Sequence, residues 1–305
     1  MIAEFYIVPE SFENTGHLQK HEIEEKIKLL AQDFILIRHY KNSNKIYVNP
    51  QIYSVFLICN ITIDELLHNH EAGRKYLDRD VLLALRKIIV ETSGTDLSLA
   101  EITESLLPMH NEKRCYGLIA FNKMKNIDGN YQIVYNLNDW YFFRRYFLGL
   151  YPHPQEHGYF IEECKKYFPC LFFHERNKNA IEHLLGDCSK RVIFHLSALN
   201  DEFREYCKPD LNRSQVLREF TVGAKLDEEA SLEGHASRKE AFAFDFINDE
   251  GSLEIVCCEP HLKLCYNDNY PGDSSYSTDR RIYFHEGKCN IQNGKILIGH
   301  IGKHL

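Results

Sequence analysis

Lysine, arginine and histidine recur beside apolar pairs near the end of this chain, in Glu259-Pro260-His261-Leu262-Lys263-Leu264, in Arg280-Arg281-Ile282-Tyr283-Phe284, and in Lys295-Ile296-Leu297-Ile298-Gly299-His300-Ile301-Gly302-Lys303-His304-Leu305. Residues two apart on a strand share a face, so Glu259, His261 and Lys263 project together while Leu262 and Leu264 project the other way. Arg281 and Tyr283 share a face in the same manner. Gly299 and Gly302 flank His300, where close backbone approach could admit a ligand. Cationic groups and imidazoles on neighbouring strands can stabilise a pentacoordinate phosphate and move protons without a metal. The expected catalytic set is His261, Lys263, Arg281, His300 and Glu259, with Arg280, Tyr283, Lys303 and His304 in contact with substrate. No cofactor and no metal are called for.

The order Lys-Leu, then Arg-Ile-Tyr-Phe, then a strand ending Ile-Gly-His resembles the last three strands of RelE/ParE-type toxins, small metal-independent ribonucleases and relatives. The resemblance covers about 45 of the 305 residues. It implies that Lys263 and Arg281 stabilise phosphate charge, that His261 and His300 act as acid and base, and that Glu259 orients one of them. It further implies an RNA substrate, and an antitoxin-like or ATPase partner protein, for a toxin or phage-defence effector. The tail also looks like that of a group of uncharacterised bacterial proteins. The chain departs from the toxin pattern in its long N-terminal extension and in the loop between Tyr266 and Arg280.

Other chemistries draw on other residues. A non-enzymatic module could use the same face to grip nucleic acid or protein. A Mg-dependent nuclease of the PD-(D/E)xK kind would draw on Glu240, Asp245, Asp249, Glu254 and Lys263, since paired carboxylates hold the ion and a lysine orients water. The spacing does not match, because Ile255 and Val256 follow Glu254 where a Glu-x-Lys is needed. His17 and His21 share a helix face without a third zinc ligand at diagnostic spacing. Cys258 with His261 is a thiol-nucleophile alternative. Phosphate-cradling GxxxxGK[ST], GxGxxG and GxSxG loops are absent from the sequence.

Composition bounds these readings. A length of 305 residues and 44% hydrophobic content support a buried core and one to three domains. A net charge of −8 argues against a broadly basic, nucleic-acid-coating surface while leaving room for a local basic patch. Ten scattered cysteines without a CxxC pair read as reduced thiols of a cytoplasmic protein. The N-terminus lacks a signal-peptide pattern and no run is long enough to span a membrane, so no membrane association is expected. The 18 Tyr and 19 Phe read as sheet and core packing.

The elements that must carry these residues suggest an α+β protein: an N-terminal α/β domain (1–136), a helical middle region (137–208) and a C-terminal, mainly antiparallel sheet domain (209–305). Phe5 to Val8 reads as a strand and His17 to Gln32 as a helix. Residues 33–40 and 45–48 read as strands about an Asn42-Ser43-Asn44 turn, and Ile63 to Leu107 as two or three helices. Cys115 to Phe121 and Tyr131 to Tyr135 read as a strand pair joined by a turn-rich connection. The helix Trp140 to Leu148 is aromatic nearly all round, and its Arg144-Arg145 pair suits interdomain salt bridges. Ala241 to Phe246 and Ser252 to Cys258 form a hairpin, and strands follow at 262–266, 281–284 and 295–301, the last near the centre of the sheet.

Overall fold

The computed structural model describes all residues except 15, 125–126, 128–131, 154–157, 234–239, 265–267 and 269–279. Helix outweighs strand, about 48% to 21%, and the α+β class holds. The chain divides into two units, Met1–Arg144 and Arg145–Leu305. The long loop expected before Arg280 lies outside the described residues apart from Asp268.

In the first unit β1 (Ile2–Ile7) is buried at nearly every position, as a strand paired on both edges and covered on both faces must be. It leads into α1 (Lys20–His39), then β2 (Asn44–Val48), the short antiparallel pair β3 (Phe56–Ile58) and β4 (Ile61–Thr62), and the helices α2 (Ile63–His68), α3 (His70–Tyr76) and α4 (Arg79–Ile89). β5 (Ser93–Gly94), α5 (Leu99–Glu101), β6 (Arg114–Ile119) and β7 (Ile133–Val134) follow. The sheet is wholly parallel in the order β5-β2-β1-β6-β7. Three expectations are corrected here. Residues 33–39 are the second half of α1, because Phe34 and Ile37 continue the buried stripe of Ile23, Ile27 and Leu30 at helical spacing. Asn44, expected in a turn, instead closes that helix by donating to the Ile37 and Tyr40 carbonyls. The strands at 114–119 and 133–134 pair in parallel and form no hairpin.

Open parallel sheets bind ligands where the strand order reverses, outside the carboxyl ends of the strands. Here that crevice lies beyond β1 and β6 and is filled from within. Phe12 and Phe121 stack there with ring centroids 4.7 Å apart, both buried. Ser11 Oγ accepts from the Phe121 amide and donates to the Val8 carbonyl.

Helix α6 (Leu137–Leu150) crosses the division between the units. Arg144 and Arg145 each serve their own unit. Arg144 donates to the Ser43 and Met1 carbonyls, whereas Arg145 bonds the Tyr167 carbonyl and the Asp201 carboxylate.

The second unit continues with α7 (Tyr159–Tyr167), β8 (Leu171–Phe173), α8 (Asn177–Ala180), α9 (Leu185–Asp201), α10 (Phe203–Tyr206) and α11 (Arg213–Gly223). The strands β9 (Ala243–Ile247), β10 (Leu253–Cys257), β11 (His261–Lys263), β12 (Arg280–His285) and β13 (Ile296–Lys303) complete it. β9 and β10 form the expected hairpin. The main sheet runs β11-β12-β13-β8, antiparallel except that β8, from the helical stretch, joins β13 in parallel. β13 is therefore central, as expected.

The two faces of this sheet differ. Leu262, Leu264, Ile282, Phe284, Ile296, Ile298 and Ile301 share one core with the helices. Tyr283 and Leu297 share another with Phe242, Phe244, Phe246, Val256 and Cys258 of the hairpin segment. The switch from Ile298 to Ile301 on the helical face breaks strict alternation. Its cause is a bulge: Tyr283 faces His300 but Phe284 faces Ile298, so Gly299 is extra on β13. A side chain at 299 would strike the Phe244 ring at 2.6 Å and Cys258 Sγ at 2.9 Å, so glycine is required.

The bulge frees backbone groups, and Asn177, fully buried, takes them up. It accepts from the Ile301 amide at 2.7 Å and donates to the Ile298 carbonyl at 2.9 Å. The Ile298 carbonyl also accepts from the His174 amide, so Asn177→Ala strands the Ile301 amide in the core and is expected to cost about 2 kcal/mol of stability. A lowered urea midpoint at unchanged m-value checks this; an unchanged midpoint contradicts it.

Candidate active site

The register of the three antiparallel strands sets out the polar face. His261 lies opposite Tyr283, which lies opposite His300, while Lys263, Arg281 and Gly302 form the next row. Directly opposed residues project to the same side, so both rows share the face away from the helices. His300 reaches it only because of the bulge. Gly302 must lack a side chain because the His300 ring lies over it, 2.6 Å from where a Cβ would be. The close approach at both glycines is thus taken by the protein's own rings, Phe244 at one and His300 at the other, which corrects the expectation that it serves a ligand.

One carboxylate gathers these residues, and it is not Glu259. Glu233 Oε1 accepts a hydrogen bond from Tyr283 Oη at 3.2 Å and lies 3.5 Å from His304 Nε2, 3.7 Å from His261 Nδ1 and 3.8 Å from Arg281 Nε. Glu233 and Arg281 side chains are only 10% and 13% exposed, so this charge pair works at low effective dielectric. Glu259 meets His261 through its backbone carbonyl, 3.4 Å from Nδ1. On the other side of that ring, His261 Nε2 lies 3.1 Å from Ser231 Oγ. Nothing local in the sequence marks Ser231 or Glu233, because the stretch that carries them meets β11 only through an isolated bridge formed in the folded chain.

Burial decides the protonation states. Desolvation, aided by the Arg281 charge, pushes His261 down to about 4, and desolvation with Arg176 nearby does the same to His300. Both rings are neutral near neutral pH. The contact between His261 and Glu233 is then that of a neutral ring beside a carboxylate. Burial and Glu233 raise Tyr283 to about 12, which keeps its hydroxyl a donor. His300 Nε2 lies 3.0 Å from the Lys303 carbonyl, and Arg176, which the sequence did not single out, is the cation nearest in effect to that ring. Arg281 Nε and His300 Nδ1 are buried without a hydrogen-bond partner among the described residues. Lys263 is more open, 4.0 Å from Glu228.

Other expected residues stand apart. Arg280 turns to Asp187 at 3.2 Å and to Cys188. Lys303 enters through its carbonyl while its side chain is exposed. The carboxylates of the metal-nuclease alternative do not converge: Glu254 binds Lys288 and Asn290, Asp249 caps the Gln292 amide, and Glu240 and Asp245 are exposed. Among the described residues no three His, Cys, Asp or Glu side chains are grouped to hold a metal. Burial drives the Cys258 thiol far above its ordinary range, away from nucleophilic use. Among the described residues no helix is long and apolar enough to cross a membrane.

The chain matches no family model, no curated protein and no solved structure.

His195 extends the electrostatic pattern of this unit. It is buried on α9, with neither ring nitrogen hydrogen-bonded among the described residues, and desolvation lowers it to about 3. Because the folded values of His195, His261 and His300 lie below the unfolded value near 6.5, the unfolded chain binds more protons as pH falls. Their stabilisation is full above about 6.5 and is lost as pH falls towards 4, by on the order of 3 kcal/mol per ring. Urea unfolding at pH 7 and 4.5 is expected to show this loss, and His195→Leu to shrink it. An identical loss in the variant contradicts the assignment.

Proposed function

We propose that this protein cleaves RNA phosphodiesters without a metal ion, in the manner of a toxin or phage-defence ribonuclease, using the face around Glu233. The observation that carries this reading is the meeting of His261, Arg281, Tyr283 and His304 on one carboxylate beside Lys263. Arg281 and Lys263 would hold the charge that builds on phosphate oxygens, where a fixed guanidinium in a dry site is worth several kcal/mol. Neutral His261 would accept the proton of the attacking hydroxyl, and His304, the more exposed ring, would return one to the leaving oxygen. Glu233 would hold Arg281 and His304 in place. His300, packed against Tyr283 and bonded to the Lys303 carbonyl, would shape the face rather than transfer the proton. The resemblance of the last strands to RelE/ParE-type toxins supports RNA as the substrate class.

Purified protein is expected to cleave single-stranded RNA in the presence of EDTA. Lys263→Ala with Arg281→Ala is expected to lower the rate by at least about 100-fold while the protein stays folded by circular dichroism. Intact RNA with and without Mg²⁺, together with a gel shift, would replace this reading by the binding module. In the active protein kcat/KM should fall as pH drops through about 4, where His261 takes up its proton. An acidic limb unmoved by His261→Ala would remove His261 from the mechanism.

A further inference from the structure

The hydroxyl that stands beside His261 within the protein is that of Ser231. Ser231 and His261 form an isolated antiparallel bridge in which each backbone amide donates to the other's carbonyl, at 3.2 and 3.0 Å. Such a directly opposed pair sets its side chains next to one another, and Ser231 Oγ lies 3.1 Å from His261 Nε2. Glu233, two residues further along, projects to the same side in extended chain, and its Oε1 lies 3.7 Å from Nδ1 of the same ring. A hydroxyl, an imidazole and a carboxylate therefore stand in sequence, with the hydroxyl on one ring nitrogen and the carboxylate on the other.

The hydrogen-bond inventory assigns the tautomer. The groups near Nδ1 are the Glu259 carbonyl and the Glu233 carboxylate, both acceptors, so the ring proton belongs on Nδ1. Nε2 then presents its lone pair to the Ser231 hydroxyl, which can donate where the Glu259 carbonyl and the Glu233 carboxylate cannot. The same imidazole stays unprotonated near neutral pH for the reasons already given. Ser231 is half-buried, not sealed in the core. Nucleophile, base and orienting carboxylate so disposed form the general arrangement for activating a serine, recognised by geometry and not by chain order.

We propose that Ser231 is the nucleophile of this site, activated by His261 and oriented through Glu233. For the substrate class the inference rests on the phosphodiester reading; the activation of Ser231 does not. In the first step the Oγ–H proton passes to His261 Nε2 and Oγ forms a bond to phosphorus. The bond from phosphorus to the leaving oxygen breaks, and that oxygen takes a proton from His304. In the second step water attacks the phosphoserine ester, giving its proton to His304, and Oγ leaves with the proton that His261 holds. Glu233 offsets the charge on the imidazolium between the steps. The route makes no use of the substrate's 2′-hydroxyl.

Two measurements on the full-length chain test this. A fluorophosphonate probe is expected to add once to the folded protein, at Ser231 by peptide mapping, and not to the urea-unfolded chain. Labelling should vanish in Ser231→Ala and slow by about 100-fold in His261→Ala, the contribution of a positioned base. The second substrate is an RNA oligonucleotide with a single 2′-deoxy position at the scissile linkage, which the serine route should cleave as readily as the all-RNA strand. Cleavage of RNA with no label on Ser231 and no cleavage at the 2′-deoxy linkage overturns the serine nucleophile and leaves the ribonuclease reading standing. Label on Ser231 with every nucleic acid intact upholds the activated serine and overturns the phosphodiester reading. Label that arrives as fast in His261→Ala as in the unaltered chain overturns the inference outright.

Discussion

The second unit depends on one extra residue. With strict alternation along β13, His300 would lie on the face of Ile296 and Ile298, in the core shared with the helices. The bulge at Gly299 shifts the count, so Ile301 returns to that core and His300 turns to the polar face beside Tyr283. Two contacts hold it: Phe244 and Cys258 press on Gly299 where no side chain fits, and Asn177 pairs the Ile301 amide while adding a second donor to the Ile298 carbonyl, which the His174 amide already bonds. An asparagine matches this task because it offers both a donor and an acceptor from one amide group.

The polar face then gathers charge where water is scarce. A carboxylate as buried as Glu233 is costly unless cations and donors surround it. Arg281 and Tyr283 do so from β12, and His304 from the chain's last turn. The same scarcity of water keeps His261 and His300 neutral, so the site holds uncharged bases beside fixed cations at neutral pH. Pairs of titratable groups whose surroundings separate their protonation are the usual mark of acid–base chemistry. The fold confines this combination to one end of one face, since hairpin aromatics cover the rest.

The first unit has the strand order of a doubly wound sheet without the feature that makes such sheets bind nucleotides. Its crevice is occupied by Phe12 and Phe121, and the turn after β1 continues as Pro9-Glu10-Ser11, where a glycine-rich phosphate loop would need bare backbone. The topology and the chemistry of this unit are thus separable, and the candidate chemistry lies in the other unit.

The sequence by itself determined the α+β class, the β9–β10 hairpin, the central place of β13 and, within each strand, the shared face of His261 with Lys263 and of Arg281 with Tyr283. All of these follow from period-two or helical patterning and local turn residues, which act over a few neighbours. Local patterning misled at residues 33–39, where a run of β-branched and aromatic side chains looks like a strand until the buried stripe of α1 is followed from Ile23 to Ile37. Tertiary structure alone decided that Glu233 rather than Glu259 faces His261, that Ser231 reaches its other nitrogen, and that Arg280 leaves the site for Asp187. It also decided the bulge, because the partners that impose it, Asn177 and Phe244, stand far from Gly299 in the chain. Pairing between distant segments is chosen by what each must bury and hydrogen-bond in the folded core, and no window of neighbouring residues carries that information.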